Sequence, residues 1–161
     1  MIAWDKYFLD IAEAVSKKSH CLSIQRGCVI VREKQILSTG YNGPPTGYIH
    51  CADTSCGRCI RKNLGFTSGQ GLEFCPASHA EANAIVQAAR NGVKIEGSTI
   101  YCNFSHIPCR ECAKLIVNSG IKRIVLNAEK QVYPQPGLSG ADILSKCEIE
   151  IVGVNNAKEG N

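Results

Sequence analysis

An α/β fold is predicted from two observations. Helix-period and strand-like apolar stretches alternate along the chain in the order αββαβαβαβ. The 161 residues, 44% hydrophobic and 20% charged, suffice for one compact domain but not for two. A folded chain of this size hides roughly 68–70% of the surface its unfolded form exposes, so a core forms without disulfide staples and disorder is excluded. We therefore read 1–161 as a single domain with a Cys-rich insert at 46–78.

From Trp4 to Ser16 apolar residues recur at Trp4, Tyr7, Phe8, Ile11, Ala14 and Val15, the spacing of one helix face. Cys28-Val29-Ile30-Val31 and Ile36 to Gly40 flank the polar Arg32-Glu33-Lys34-Gln35, which predicts a hairpin closed by the turn Asn42-Gly43-Pro44-Pro45. The stretch from Thr46 to Ser78 has little periodicity and is too long for an ordinary loop unless something such as a metal organises it. Ser78, with Glu81 three positions on, reads as the capping box of a helix that stops at Asn91-Gly92. A strand at Thr99 to Cys102, a helix from Cys109 to Ser119 and a strand from Ile121 to Leu126 follow. A short helix from Ala141 to Lys146 and a strand from Glu148 to Val154 complete the order, with Asn155 to Asn161 frayed.

The net charge of +4 comes from 18 Lys and Arg against 14 Asp and Glu, spread without a run, and suits a small anionic ligand as well as a nucleic acid. Asp5, Lys6, Asp10 and Glu13 interrupt the stretch where a secretion signal needs apolar residues, which predicts a cytoplasmic protein with no membrane segment. In that compartment ten cysteines point to metal or catalysis before disulfides. Cys28, Cys102 and Cys147 sit at strand or helix-end positions and read as small core residues.

His79-Ala80-Glu81 and Pro108-Cys109-Arg110-Glu111-Cys112 each open a helix. Thiols at i and i+3 of a first turn face the same way, and a His at the mouth of a neighbouring helix supplies a third ligand, leaving tetrahedral zinc one open position. Glu81 projects differently from His79 and can shuttle protons. Taken singly, a C-x-x-C pair reads as structural zinc or a redox pair, and His79 as a capping or core histidine. The combination reads as a catalytic zinc site.

These blocks resemble the H-x-E…P-C-x-x-C signature of the zinc-dependent cytidine deaminase superfamily. Over about Trp4 to Val154 the chain is similar to its deoxycytidylate (dCMP) deaminase branch. The resemblance is carried by Gly40-Tyr41-Asn42-Gly43-Pro44-Pro45, by His79 to Ile85, by Pro108 to Ile116 and by Gly120 to Ile124. It implies a three-layer αβα cytidine-deaminase-like fold with a central five-stranded mixed sheet, and zinc held by His79, Cys109 and Cys112 with Glu81 as the catalytic proton shuttle. It further implies that Asn42 binds the deoxyribose hydroxyl and the Ala80 backbone the base carbonyl; read alone, Asn42 is a turn residue before Gly43. Position-by-position matching suggests a second, structural zinc on Cys21, Cys51, Cys59 and Cys75, with Cys56 and His50 as spares. Reduced buried thiols or a Cys56/Cys59 redox pair stand against it.

For the phosphate the candidates are Ser23 and Gln25, which match the family pattern, with Arg26, Lys130 and Tyr133. The longer stretch between Tyr101 and Pro108, and Asn103 where Thr is common, depart from the family and bear on base selectivity. The implied activity is hydrolytic deamination of dCMP to dUMP and ammonia, supplying thymidylate synthesis. The implied assembly is a homo-oligomer such as a hexamer, with dCTP or dTTP as effectors and Mg2+ accompanying them. The alternatives are deamination of dCTP or a 5-substituted dCMP, of adenosine in transfer RNA, or a zinc module without catalysis. With 6% aromatic residues and no Arg-rich run, a nucleic-acid partner is disfavoured.

Overall fold

The computed structural model describes residues 2–53, 57–67, 70–128, 131–132 and 137–154. Helix α1 covers Trp4–Ser16, and the hairpin strands β1 and β2 cover Gly27–Arg32 and Gln35–Tyr41. After the insert, helix α3 (Ala80–Arg90), β3 (Thr99–Cys102), α4 (Arg110–Asn118), β4 (Arg123–Asn127), α5 (Gly140–Lys146) and β5 (Glu150–Val154) follow in turn. The insert contains one element that the periodicity does not show, the four-residue helix α2 (Ile60–Asn63), besides single turns at Cys51–Asp53 and Leu72–Phe74. The expected Asn155 to Asn161 tail lies outside the described residues.

The five strands form one mixed sheet in the order β2-β1-β3-β4-β5. Strand β1 is antiparallel to β2 and β3, whereas β3, β4 and β5 run parallel through the crossovers α4 and α5. Because successive side chains leave a strand on opposite faces, each strand feeds two cores. Cys28, Ile30, Ile100, Cys102, Ile124 and Leu126 pack with residues of α3, α4 and α5. Val29, Val31, Tyr101 and Val125 pack under Phe8, Leu9 and Ala12 of α1. The sheet is thus the middle of three layers, and burial on both faces explains why Cys28 to Val31 is an unbroken apolar run.

Polar groups fix these layers. Asp5 accepts from both terminal nitrogens of Arg123, at 2.9 and 2.8 Å, and from the Tyr101 hydroxyl at 3.0 Å, pinning α1 beneath β3 and β4. The Arg123 guanidinium holds the Asp5 carboxyl below its ordinary range. Asn103 closes the end of β3: its Oδ1 accepts from the Gly27 amide at 2.8 Å, and its Nδ2 donates to Glu13 at 2.8 Å. The hairpin turns at Glu33 and Lys34, both at positive φ, where Asn-Gly is the usual choice.

Two readings of single residues need correcting. Ser78 does not cap α3; its backbone exchanges hydrogen bonds with Gly43 (2.9 and 3.2 Å), and His79 is the N-cap residue, with no side-chain cap bond. Cys147 is exposed, because it lies past the last turn of α5.

Strand β2 packs directly on α3. Ser38 Oγ donates to the Ala84 carbonyl at 2.7 Å, and a Cβ on Gly40 would run into the backbone of Ala80 and Ala84. Gly40→Ala should therefore destabilise the fold by about 1–3 kcal/mol, as overpacking does. Gly43→Ala, whose Cβ would meet only the Tyr41 ring at 3.7 Å, should stay within about 0.5 kcal/mol of the parent. Thermal or urea unfolding checks the pair, and equal stabilities would refute the close packing.

Candidate metal centre

Two helix starts build the site. His79 is the N-cap residue of α3 and Cys109 that of α4, both with extended backbone and neither using its side chain to cap. An N-cap side chain lies over the third residue of its helix, so Cys109 faces Cys112 across the first turn of α4. The His79 Nδ1 lies 3.4 Å from Cys109 Sγ and 3.5 Å from Cys112 Sγ. Tetrahedral zinc with bonds near 2.05 Å to nitrogen and 2.3 Å to sulfur requires an N to S separation of about 3.5 Å. The donor set and its spacing therefore fit zinc.

The second residue of α3 is Glu81, whose side chain is 3% exposed. Burial pushes its carboxyl above the ordinary value, while the charges on His79 and Arg26 pull the other way. His79 is raised, chiefly by its hydrogen bond with Cys109 and against the effect of burial. The hydrogen bond from Cys112 brings the Cys109 thiol down to about 4 against burial, with His79 assisting. Donation to Cys109 and burial push Cys112 upward. The partial positive charges of the two helix starts also favour thiolate.

The starting turn of α3 is anchored to the end of β2. Besides the Gly43–Ser78 exchange, Asn83 Nδ2 donates to the Tyr41 carbonyl at 2.8 Å. At the start of α4, Gly140 brings α5 against the backbone of Pro108 and Cys109 with no room for a Cβ. Asn42 is buried, and its side chain organises the neighbouring loop. Oδ1 accepts from the Arg26 amide at 2.8 Å and Nδ2 donates to the Ile24 carbonyl at 3.0 Å. Ala80 is fully buried in the first turn of α3.

Of the phosphate candidates, Ser23 and Arg26 line one cavity, and the charge of Arg26 is felt at His79 and Glu81. Gln25 instead donates its amide to the Ser19 carbonyl at 2.6 Å. Tyr133 and Lys130 lie outside the described residues, as does Cys56. Arg61, Lys62, Phe66 and Thr67 share the cavity with Ser23 and Arg26. They are missed by sequence reading because the insert has no periodicity and their partners are far away in the chain. Three cations within five residues, Arg58, Arg61 and Lys62, were the available signal.

The insert cysteines share one neighbourhood. Burial raises the Cys51 thiol, and Cys59, Cys75 and Cys21 add to the rise electrostatically. At Cys59 the backbone N–H groups of Lys62 and Arg61 outweigh burial and lower the thiol. Among the described residues, the groups of three or more metal-binding side chains whose ligand atoms all lie within 4.8 Å are His79, Cys109 and Cys112, and His20, His50 and Asp53. The His20 and His50 rings are 4.8 Å apart. No helix among the described residues is long and apolar enough to cross a membrane.

The family described as cytidine and deoxycytidylate deaminase zinc-binding region matches residues 2–128. The deoxycytidylate deaminase of Schizosaccharomyces pombe is 37% identical over 76% of this chain, which spans little more than a third (36%) of that protein. The enzyme of the same name from Enterobacteria phage T4 is 38% identical over 91% of this chain and 87% of its own. The crystal structure of dCMP deaminase from the cyanophage S-TIM5 in complex with dCMP and dUMP superposes with a TM-score of 0.68 at 27% identity. It covers 92% of this chain and 95% of the phage chain.

Proposed function

Because the chain belongs to the cytidine and deoxycytidylate deaminase zinc-binding family, we propose that it hydrolyses dCMP to dUMP and ammonia, with the product feeding thymidylate synthesis. The observation that carries this reading is the buried Glu81 in the first turn that His79 opens, close enough to Cys109 and Cys112 for their charges to interact. A purely structural zinc site has no use for an acid at that position. Bound by His79, Cys109 and Cys112, zinc supplies Lewis acidity that makes water nucleophilic at neutral pH.

The remaining chemistry belongs to Glu81. It takes a proton from the attacking water and passes it to the ring nitrogen next to the reacting carbon. It then takes the remaining proton of the added hydroxyl and delivers it to the departing amine, so that the C–N bond breaks as ammonia leaves and a carbonyl remains. Burial suits this role, since a carboxyl with a raised pKa both accepts and returns a proton readily.

For substrate contacts we assign Asn42 to the sugar hydroxyl, the Ala80 backbone to the base carbonyl, and Ser23, Gln25 and Tyr133 to the phosphate end. Asn42 keeps one lone pair and one amide hydrogen beyond those held by Arg26 and Ile24, which leaves it able to bind a hydroxyl. The resemblance supports three further parts of the reading: a single deaminase domain over 1–161, a homo-oligomer such as a hexamer, and regulation by dCTP or dTTP with Mg2+. A cytoplasmic location is the compartment in which so many free thiols persist.

A second, structural zinc belongs in the insert, where a short helix and two single turns bury little apolar surface. Cys21, Cys51, Cys59 and Cys75 are its proposed ligands: Cys51 feels the charge of the other three, and the four sulfurs, which do not all lie within 4.8 Å of one another, would close around the ion. His20, His50 and Asp53 are the rival donors.

Incubation with cytidine, dCMP, dCTP and 5-methyl-dCMP, followed by ultraviolet loss of the amino base, should rank dCMP first. Turnover of none would favour a binding module. Glu81→Gln should keep zinc and fold but lose about 10²-fold or more in rate; parental activity would remove Glu81 as shuttle. Metal analysis should find close to two zinc per chain. Cobalt substituted at the second site should show thiolate charge transfer, and a second equivalent bound without that band would move the site to His20, His50 and Asp53.

A further inference from the structure

Away from the helix starts, three further donors converge. An imidazole nitrogen of His20, one of His50 and a carboxylate oxygen of Asp53 all lie within 4.8 Å of one another, and the group contains no sulfur. His20 belongs to the loop that leaves α1, whereas His50 and Asp53 stand at the start of the insert, so the meeting joins two segments distant in sequence. Among the described residues no Lys or Arg pairs with the Asp53 carboxylate, which leaves its charge for a cation.

The backbone fixes both sides of the group. The Asp53 amide donates to the His50 carbonyl at 2.9 Å and closes the single turn Cys51–Asp53. Residues three apart in such a turn eclipse one another, which places the His50 ring and the Asp53 carboxylate on one side. Across from them Ser19 holds the approach to His20. Its amide donates to the Ser16 carbonyl at 2.9 Å, its hydroxyl donates to the Asn42 carbonyl at 2.6 Å, and the same hydroxyl accepts from the Cys21 amide at 3.2 Å. The two imidazole rings meet at 4.8 Å between centroids, tilted by 44°.

The donor set selects the ion. Imidazole nitrogen suits zinc and its first-row neighbours, whereas magnesium and calcium ask for six or more oxygens, of which this group offers one side chain. Two imidazoles and a carboxylate leave a tetrahedral ion one position for water. Zinc with bonds near 2.05 Å draws such donors to about 3.3 Å apart, and His20 and Asp53, both exposed, have room to close the gap.

We propose that His20, His50 and Asp53 form a separate, solvent-open site for a borderline divalent ion such as zinc, and that the ion clamps the start of the insert to the loop after α1. The site is additional to the catalytic and thiolate zincs, and, being open to solvent, it exchanges its ion and fills only when free zinc is present. It does not depend on the deamination reading.

Zinc titrated calorimetrically into protein that already holds its two tightly bound ions should reveal a further equivalent. Cobalt at that site should give weak visible bands without thiolate charge transfer. His20→Asn and Asp53→Asn, each at an exposed position, should weaken this equivalent by at least about 10- to 100-fold, the loss that removing even an outer partner of a ligand brings, while the first two ions stay bound. Free zinc should also slow tryptic cleavage after Lys62 in the parent and not in the variants. The absence of a further equivalent overturns the proposal, as does one that survives both substitutions or that magnesium fills equally well. Binding that leaves cleavage unchanged overturns the clamp. A group that fills as the second equivalent, with the four cysteines empty, overturns its separateness. None of these readouts uses turnover, so a parent that deaminates no cytosine nucleotide would sink the deamination reading and leave this test standing.

Discussion

An imidazole nitrogen from one helix start has to meet two sulfurs from another at about 3.5 Å from each, and the architecture follows from how this is arranged. His79 hangs from the end of β2 through the Gly43–Ser78 exchange and Asn83, whereas Cys109 follows β3 after a short loop. Strand β1 lies between them, so their parent strands are two interstrand spacings apart, about 9.6 Å. That separation matches the 8–10 Å at which helices pack, so α3 and α4 can lie side by side on one face of the sheet. Register sets the remaining coordinate. Cys28 pairs with Gly40 on one side and with Cys102 on the other, which levels the strand ends from which the two helices are positioned.

Glu81 shows what this meeting costs. A carboxylate with 3% exposure loses nearly all its hydration, and burial is the largest influence on its titration. The compensation comes from the positive ends of two helices and from the charges of His79 and Arg26. Capping requires an exposed acid that reaches back to the backbone, and the same residue cannot also point inward. Local capping at α3 has yielded to the site, which is why His79 stands at the N-cap and makes no cap bond.

The regular elements were legible in the sequence because both faces of the sheet are covered. Burial on two sides writes each central strand as a short apolar run, and α1 reads at once from its one apolar stripe. The signature residues were legible for a related reason, since an N-cap and third-position pair of thiols is a local pattern. What escaped was whatever depends on distant partners. Nothing around Ser78 announces its bond to Gly43, and nothing at Cys147 tells a helix-end core position from an exposed one. Glu33 and Lys34 occupy a turn whose positive φ values composition does not suggest. Arg61 and Lys62 gain meaning only when the insert is laid against Ser23 and Arg26.

The fold therefore separates two demands of different strictness. The donors ride on helix starts held by strand register and by close backbone packing at Gly40 and Gly140, where a single added carbon has nowhere to go. The described part of the insert is held by an aromatic stack and a few turn hydrogen bonds. Between them stands the Ile24–Arg26 segment, whose backbone is gripped by Asn42 and whose guanidinium carbon lies 4.5 Å from the centre of the Phe104 ring. Loops on a rigid scaffold carry specificity for this physical reason: the energy of recognition can be rebuilt there without disturbing atoms that tolerate no displacement.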